Sequence, residues 1–91
     1  MTDKARVRFH GRVQGVWFRA FTSEQAKVAG LTGWVRNLTD GSVEALFEGD
    51  RKTIEQAIEK CRQGPPSARV ENIDIDWQVS ENEFEDFSIR N

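Results

Sequence analysis

The sequence predicts an α+β domain with two helices on one face of an antiparallel sheet. The order of elements is β-α-β-β-α-β, with one short strand added at the end. Three observations carry this reading. Stretches that alternate polar and apolar residues, as half-buried strands do, recur at 6–10, 42–48 and 69–79. Two longer stretches, beginning near Phe18 and after Asp50, repeat apolar residues at helical spacing. Turn-forming residues separate these segments: Gly30, Asp40-Gly41 and Gly64-Pro65-Pro66.

Arg6 to His10 alternates, so Val7 and Phe9 face a core. A glycine-containing loop follows. From about Phe18 to Ala29 the residues Phe18, Phe21, Gln25, Val28 and Ala29 fall near one helical face, which Gln25 weakens, and Gly30 closes the helix. Gly33 to Thr39 reads as the second strand, and Asp40-Gly41 as a hairpin turn. Ser42 to Glu48 is the third strand, with Val43, Ala45 and Phe47 on one face and Leu46 covering an edge. Asp50 can cap the second helix by accepting from its first amides. Ile54, Ala57, Ile58 and Cys61 then give that helix one apolar face, and Gly64-Pro65-Pro66 ends it. In the fourth strand, Arg69 to Val79, the residues Ile73, Ile75, Trp77 and Val79 form the expected buried side. Phe84 to Arg90 gives a short last strand with Phe87 and Ile89 inward. The pattern is that of the ferredoxin-like split βαβ sandwich, with the first and third strands central.

The chain has 91 residues, 37% hydrophobic and 31% charged, with a formal net charge of −2. One domain over 1–91 is expected. No apolar run approaches the roughly 20 residues that span a bilayer, and Met1 to Arg6 lacks the apolar core of a signal peptide. A single cysteine forms no internal disulfide, which fits a reducing cytoplasm. The charge is uneven. Arg6, Arg8, His10, Arg12 and Arg19 lie in a stretch with no acid between Asp3 and Glu24, whereas 71–76 and 81–86 are acidic. A local basic face on an acidic protein suits a small anion better than a long nucleic acid, which needs many basic contacts.

Gly11-Arg12-Val13-Gln14-Gly15-Val16-Trp17-Phe18-Arg19 lies where strand passes to helix. Its two glycines permit tight turns and close approach of a ligand to the main chain. The free amides of a helix N-terminus, aided by the helix dipole, favour an anion. Arg19 adds a permanently charged fork suited to phosphate. Taken alone, such a loop is weak evidence, Arg19 reads as a solvated helix residue and Asn37 as a strand-end residue. Their weight comes from the fold, which carries the loop and Asn37 to the same part of the sheet.

Two motifs resemble the acylphosphatase family. The first is the stretch 11–19 just quoted. The second is Gly33-Trp34-Val35-Arg36-Asn37, followed by Gly41, Val43 and Gly49. Length, element order and the closing Phe87-Ser88-Ile89-Arg90 agree with a small free-standing enzyme of that family. The resemblance implies hydrolysis of the carboxyl–phosphate bond of acyl phosphates with no metal and no cofactor. It implies that Arg19 binds the phosphate, that the amides of Gln14, Gly15, Val16, Trp17, Phe18 and Arg19 form a phosphate loop, and that Asn37 orients the attacking water. The residues agree with this chemistry. A carboxylate leaves readily, so the work is to hold the phosphoryl group, neutralise its oxygens and place a water in line. Positions 11–19 contain no Ser, Thr, Cys, Asp or Glu to act as a nucleophile.

Other chemistries find less support. A cysteine phosphatase needs Arg six residues after its Cys, and Ser67 stands there. His10 reads as a surface histidine, Cys61 as a buried small hydrophobe, and Trp34 and Trp77 as packing residues. Asp74/Asp76 and Glu83/Glu85/Asp86 read as solvated faces. An RNA-binding sandwich would expose aromatics on its open face, but the outward positions here are Arg6, Arg8, His10, Ser42, Glu44, Leu46 and Glu48. A non-catalytic domain that binds an anion or a partner is the remaining alternative. The expected partners are an acyl phosphate and inorganic phosphate, with no nucleic acid or membrane, and a monomer is the expected state.

Overall fold

Residues 2–90 are described by a computed structural model of the chain, and Met1 and Asn91 lie outside them. In chain order the elements are β1 (Asp3–Arg12), α1 (Phe18–Val28), β2 (Thr32–Asn37), β3 (Val43–Gly49), α2 (Arg51–Gln63), β4 (Arg69–Val79) and β5 (Phe87–Arg90). The strands form one sheet in the order β4-β1-β3-β2-β5. Two helices on one such sheet make the ferredoxin-like α+β sandwich. β1, β2, β3 and β4 pair antiparallel, as expected, but β5 joins β2 in parallel, so the sheet is mixed. β5 reverses direction after β4, and that reversal leaves it running with β2. β1 and β2 flank β3 and run the same way, so their C-terminal ends meet at one end of the sheet. No helix among the described residues is long and apolar enough to cross a membrane.

Alternation decides what enters the core. Ala5, Val7 and Phe9 of β1 share a face with Val43, Ala45 and Phe47 of β3, and the register sets Val7 against Ala45. Ile54, Ala57, Ile58 and Cys61 close over them from α2, which begins with Asp50 accepting from the amide of Thr53 at 3.3 Å. Phe18 meets Phe9 edge-on with ring centroids 5.1 Å apart, and Phe47 stacks on Phe87 at 5.6 Å. Each such ring removes enough apolar surface from water to stabilise the fold by about 2–3 kcal/mol.

Three expectations need correction. First, α1 buries Phe18, Thr22, Ser23 and Ala26, and Val28 and Ala29 are exposed. Small side chains let the helix sit close to the sheet, so the large apolar residues do not mark the buried face. Second, the side of β4 expected to be buried is only half covered: Ile73 and Trp77 pack on the core, but Val79 is 84% exposed and Ile75 is also exposed. β4 is an edge strand, and the helices do not reach across it. Third, β3 is buried on both faces. Glu44, read as facing water, lies fully buried between Arg36, whose Nη2 donates to Oε1 at 2.7 Å, and Arg8, whose Nε donates to Oε2 at 3.4 Å. Leu46 is buried there too, beside Trp34, over which the guanidinium groups of Arg36 and Arg90 each stand 5.0 Å from the ring centroid. Long arginine side chains thus cover the helix-free face of the sheet.

Candidate active site

The site grows from the end of β1. Its pairing with β4 shifts between His10 and Gly11. At Gly11 a Cβ would stand 2.2 Å from the carbonyl oxygen of Arg69, and φ is 126°. This first glycine therefore admits a strand crossing rather than a ligand, which corrects the expectation that both glycines of the motif open towards one. Gly15 behaves as expected, with φ 74° and open space where a Cβ would be. Val13 and Val16 are buried and anchor the loop. Trp17, just before α1, has φ 64°. Left-handed residues such as these two are the units from which anion-binding backbone concavities are built. Among the described residues, nothing accepts from the amides of Gly15 to Ala20; the first turn of α1 closes only at the Phe21 amide, which donates to the Trp17 carbonyl at 3.0 Å.

Arg19 is the second residue of α1. Its Nη1 donates to the carbonyl of Arg90 at 3.3 Å, and no carboxylate of the described residues pairs with it. Asn37 ends β2 and is half-buried, and its Oδ1 is enclosed without a hydrogen-bond partner. An enclosed amide oxygen left unpaired costs free energy unless a ligand or water supplies the donor. A cleft of about 400 Å³ brings these groups together, with Gly15, Trp17, Phe18, Arg19, Asn37 and Ile89 among its walls. Gln14 and Val16 are not among its walls: the Gln14 side chain bonds the turn after β2 and Val16 is buried.

The surroundings are polar but quiet. The Ser42 hydroxyl and amide hold the Asp40 carboxyl below its ordinary range, which fixes the turn after β2. His10 lies 2.8 Å from Asp74 on the surface, outside the cleft. Burial pushes the Cys61 thiol up to about 11, so it is neutral and unreactive at physiological pH. Among the described residues, no group of three or more His, Cys, Asp or Glu side chains is placed to hold a metal ion.

The family model described as Acylphosphatase matches residues 5–89. The chain belongs to the acylphosphatase family. It is 50% identical over 86 residues to the acylphosphatase of Pelotomaculum thermopropionicum, covering 94% of each chain. Its structure matches the crystal structure of acylphosphatase from Bacillus subtilis with a TM-score of 0.94 at 36% identity, covering 98% of this chain and 99% of that one. It also matches an acylphosphatase from Coxiella burnetii with a TM-score of 0.91 at 38% identity, covering 98% of this chain and 93% of that one.

Two features of the cleft and its loop escaped the sequence. Gln14 donates through Nε2 to the carbonyls of Leu38, at 2.7 Å, and Ser42, at 2.9 Å. Its side chain thus ties the loop to the turn that follows Asn37, and only the three-dimensional pairing could reveal that. Ile89, read as an inward residue, is 47% exposed on the cleft wall. Alternation from Phe87 gives its face correctly, but not that α1 begins just there and leaves the position uncovered.

Proposed function

We propose that the chain hydrolyses the carboxyl–phosphate bond of acyl phosphates. Arg19 and the amides of Gln14 to Arg19 hold the phosphoryl group, and Asn37 orients the water. The observation that carries this is one cleft lined together by Gly15, Arg19 and Asn37. Arg19 supplies two parallel donors to the phosphoryl oxygens, and the unpaired amides supply more. These donors neutralise the charge that spreads over the equatorial oxygens as the bond to the acyl oxygen breaks. Asn37 can accept from the water through Oδ1 and donate to a phosphoryl oxygen through its NH₂ group. A carboxylate there would repel the dianion. The water attacks phosphorus in line, the electron pair of the P–O bond leaves with the carboxylate, and the water's proton passes to a phosphoryl oxygen. No metal or cofactor enters these steps. The reading takes residues 1–91 as one domain, working as a cytoplasmic monomer.

The test is a paired kinetic and binding measurement in buffer containing a chelator. Asn37→Ala is expected to lower kcat on benzoyl phosphate by more than about 100-fold, the scale of one lost transition-state contact. Its affinity for inorganic phosphate stays within a few-fold of the parent. Arg19→Gln loses both turnover and phosphate binding. Parental turnover in Asn37→Ala would sink the water-orienting role. Absence of turnover in the parent protein would favour a non-catalytic anion-binding domain.

A further inference from the structure

The cleft is larger and more apolar than a phosphoryl group requires. A cavity needs about 10–15 Å³ to hold one water-sized group, so a phosphate's four oxygens need about 40–60 Å³. The cleft offers about 400 Å³. Beyond Arg19 and Asn37 its walls include Trp17 and Ile89. Both side chains lie outside the hydrophobic core, and Trp17 is 81% exposed. Trp17 also holds φ 64°, a conformation in which glycine rests without strain and a bulky residue does not. Packing therefore explains neither residue: one sits exposed in a strained loop, the other exposed on the last strand. What they share is the wall of the same cleft, from opposite ends of the chain.

We propose that Trp17 and Ile89 form a platform for the acyl group of the substrate, selecting acyl phosphates whose acyl group is bulky and apolar over those with a short one. The inference rests on the acyl-phosphate reading above and adds the substrate class. With the phosphoryl group on Arg19 and the loop amides, the acyl chain occupies the remaining space of the cleft. An aromatic or long aliphatic acyl group there covers the indole and the isoleucine and removes apolar surface from water. An acetyl group is too short to cover either. Binding to a non-reacting part of the substrate of this kind is used to orient the reacting bond.

The experiment compares kcat/KM for benzoyl phosphate and acetyl phosphate in the parent and in Trp17→Gly, Trp17→Phe and Ile89→Ser. Glycine suits the backbone at position 17, and Ile89 is exposed, so these variants keep the fold. The parent is expected to prefer benzoyl phosphate. The benzoyl-to-acetyl ratio falls about 10-fold in Trp17→Gly, the lower end of the range over which apolar pockets discriminate, and falls by a smaller factor in Ile89→Ser. Trp17→Phe keeps most of the ratio. A ratio unchanged in both Trp17→Gly and Ile89→Ser, or a parent that does not prefer benzoyl phosphate, overturns the platform while leaving acyl-phosphate hydrolysis intact. A parent that hydrolyses neither compound overturns the hydrolytic reading, and the platform with it.

Discussion

The Gln14 side chain spends both amide hydrogens on one turn, bonding the carbonyls of Leu38 and Ser42. Leu38 follows Asn37 directly, so this one amide couples the loop before α1 to the residue read as orienting the water. Gln14→Leu keeps the bulk and removes both donors. The expected outcome is a fall in kcat of about 10-fold or more, because a displacement of about 1 Å at a reacting group can cost about 100-fold. Phosphate affinity changes less, since the loop amides remain. Stopped kinetics together with phosphate titration check this, and an unchanged kcat would mean that the turn holds Asn37 unaided. Glutamine in a glycine-containing loop carries no sequence signal for such a clamp. Arg19 and Asn37 were singled out for a different reason: each alone reads as an ordinary residue, and their weight came from the two motifs and from a fold that brings both to one cleft.

At the scale of elements, β3 shows where side-chain alternation stops being informative. Alternation assigns Glu44 to the helix-free face and the structure agrees. It cannot tell that Arg8 on β1 and Arg36 on β2 fold over that face from both sides. The pairing of a buried carboxylate with two half-exposed arginines follows from strand order, which is a property of topology. The same cause explains β4, whose edge position leaves Ile75 and Val79 in water. Glu44→Gln preserves shape and removes the charge from beneath both guanidinium groups. It is expected to destabilise the fold by about 1–2 kcal/mol, less than a fully buried pair because both arginines reach solvent. Thermal unfolding should show Tm lower by roughly 5–15 °C for a chain of this size. No change in Tm would mean that the arginines gain as much from water as from the carboxylate. Helix positions were read well where capping chemistry is explicit, as at Asp50, and less well at α1, where Thr22, Ser23 and Ala26 make the close contact.

The whole molecule places its one cysteine in the core between α2 and the sheet, where burial raises the thiol to about 11 from 9.0. The sign follows from linkage: the folded state resists losing the proton, so the contribution is complete below pH 9 and is lost as pH rises from 9 towards 11. A difference of about two in pKa amounts to about 3 kcal/mol. Denaturant unfolding of the parent should weaken over that window more than unfolding of Cys61→Ala, and identical pH profiles would show that Cys61 ionises as readily in the folded chain. Element order and the central pairing of β1 with β3 could be read from the sequence, because hairpin turns and crossovers constrain them. The parallel docking of β5 could not, because four residues offer too short a pattern. That docking has a kinetic consequence. Arg19 bonds the carbonyl of Arg90, 71 residues further along the chain, so the cleft gains its last wall only when β5 arrives. Contacts between segments so far apart in sequence are slow to form, since the loop between them must close first. During refolding, turnover should therefore lag behind helix formation and appear with the slowest phase. An intermediate lacking β5 would carry native-like ellipticity and no activity, which makes recovered catalysis a direct clock for the final folding event.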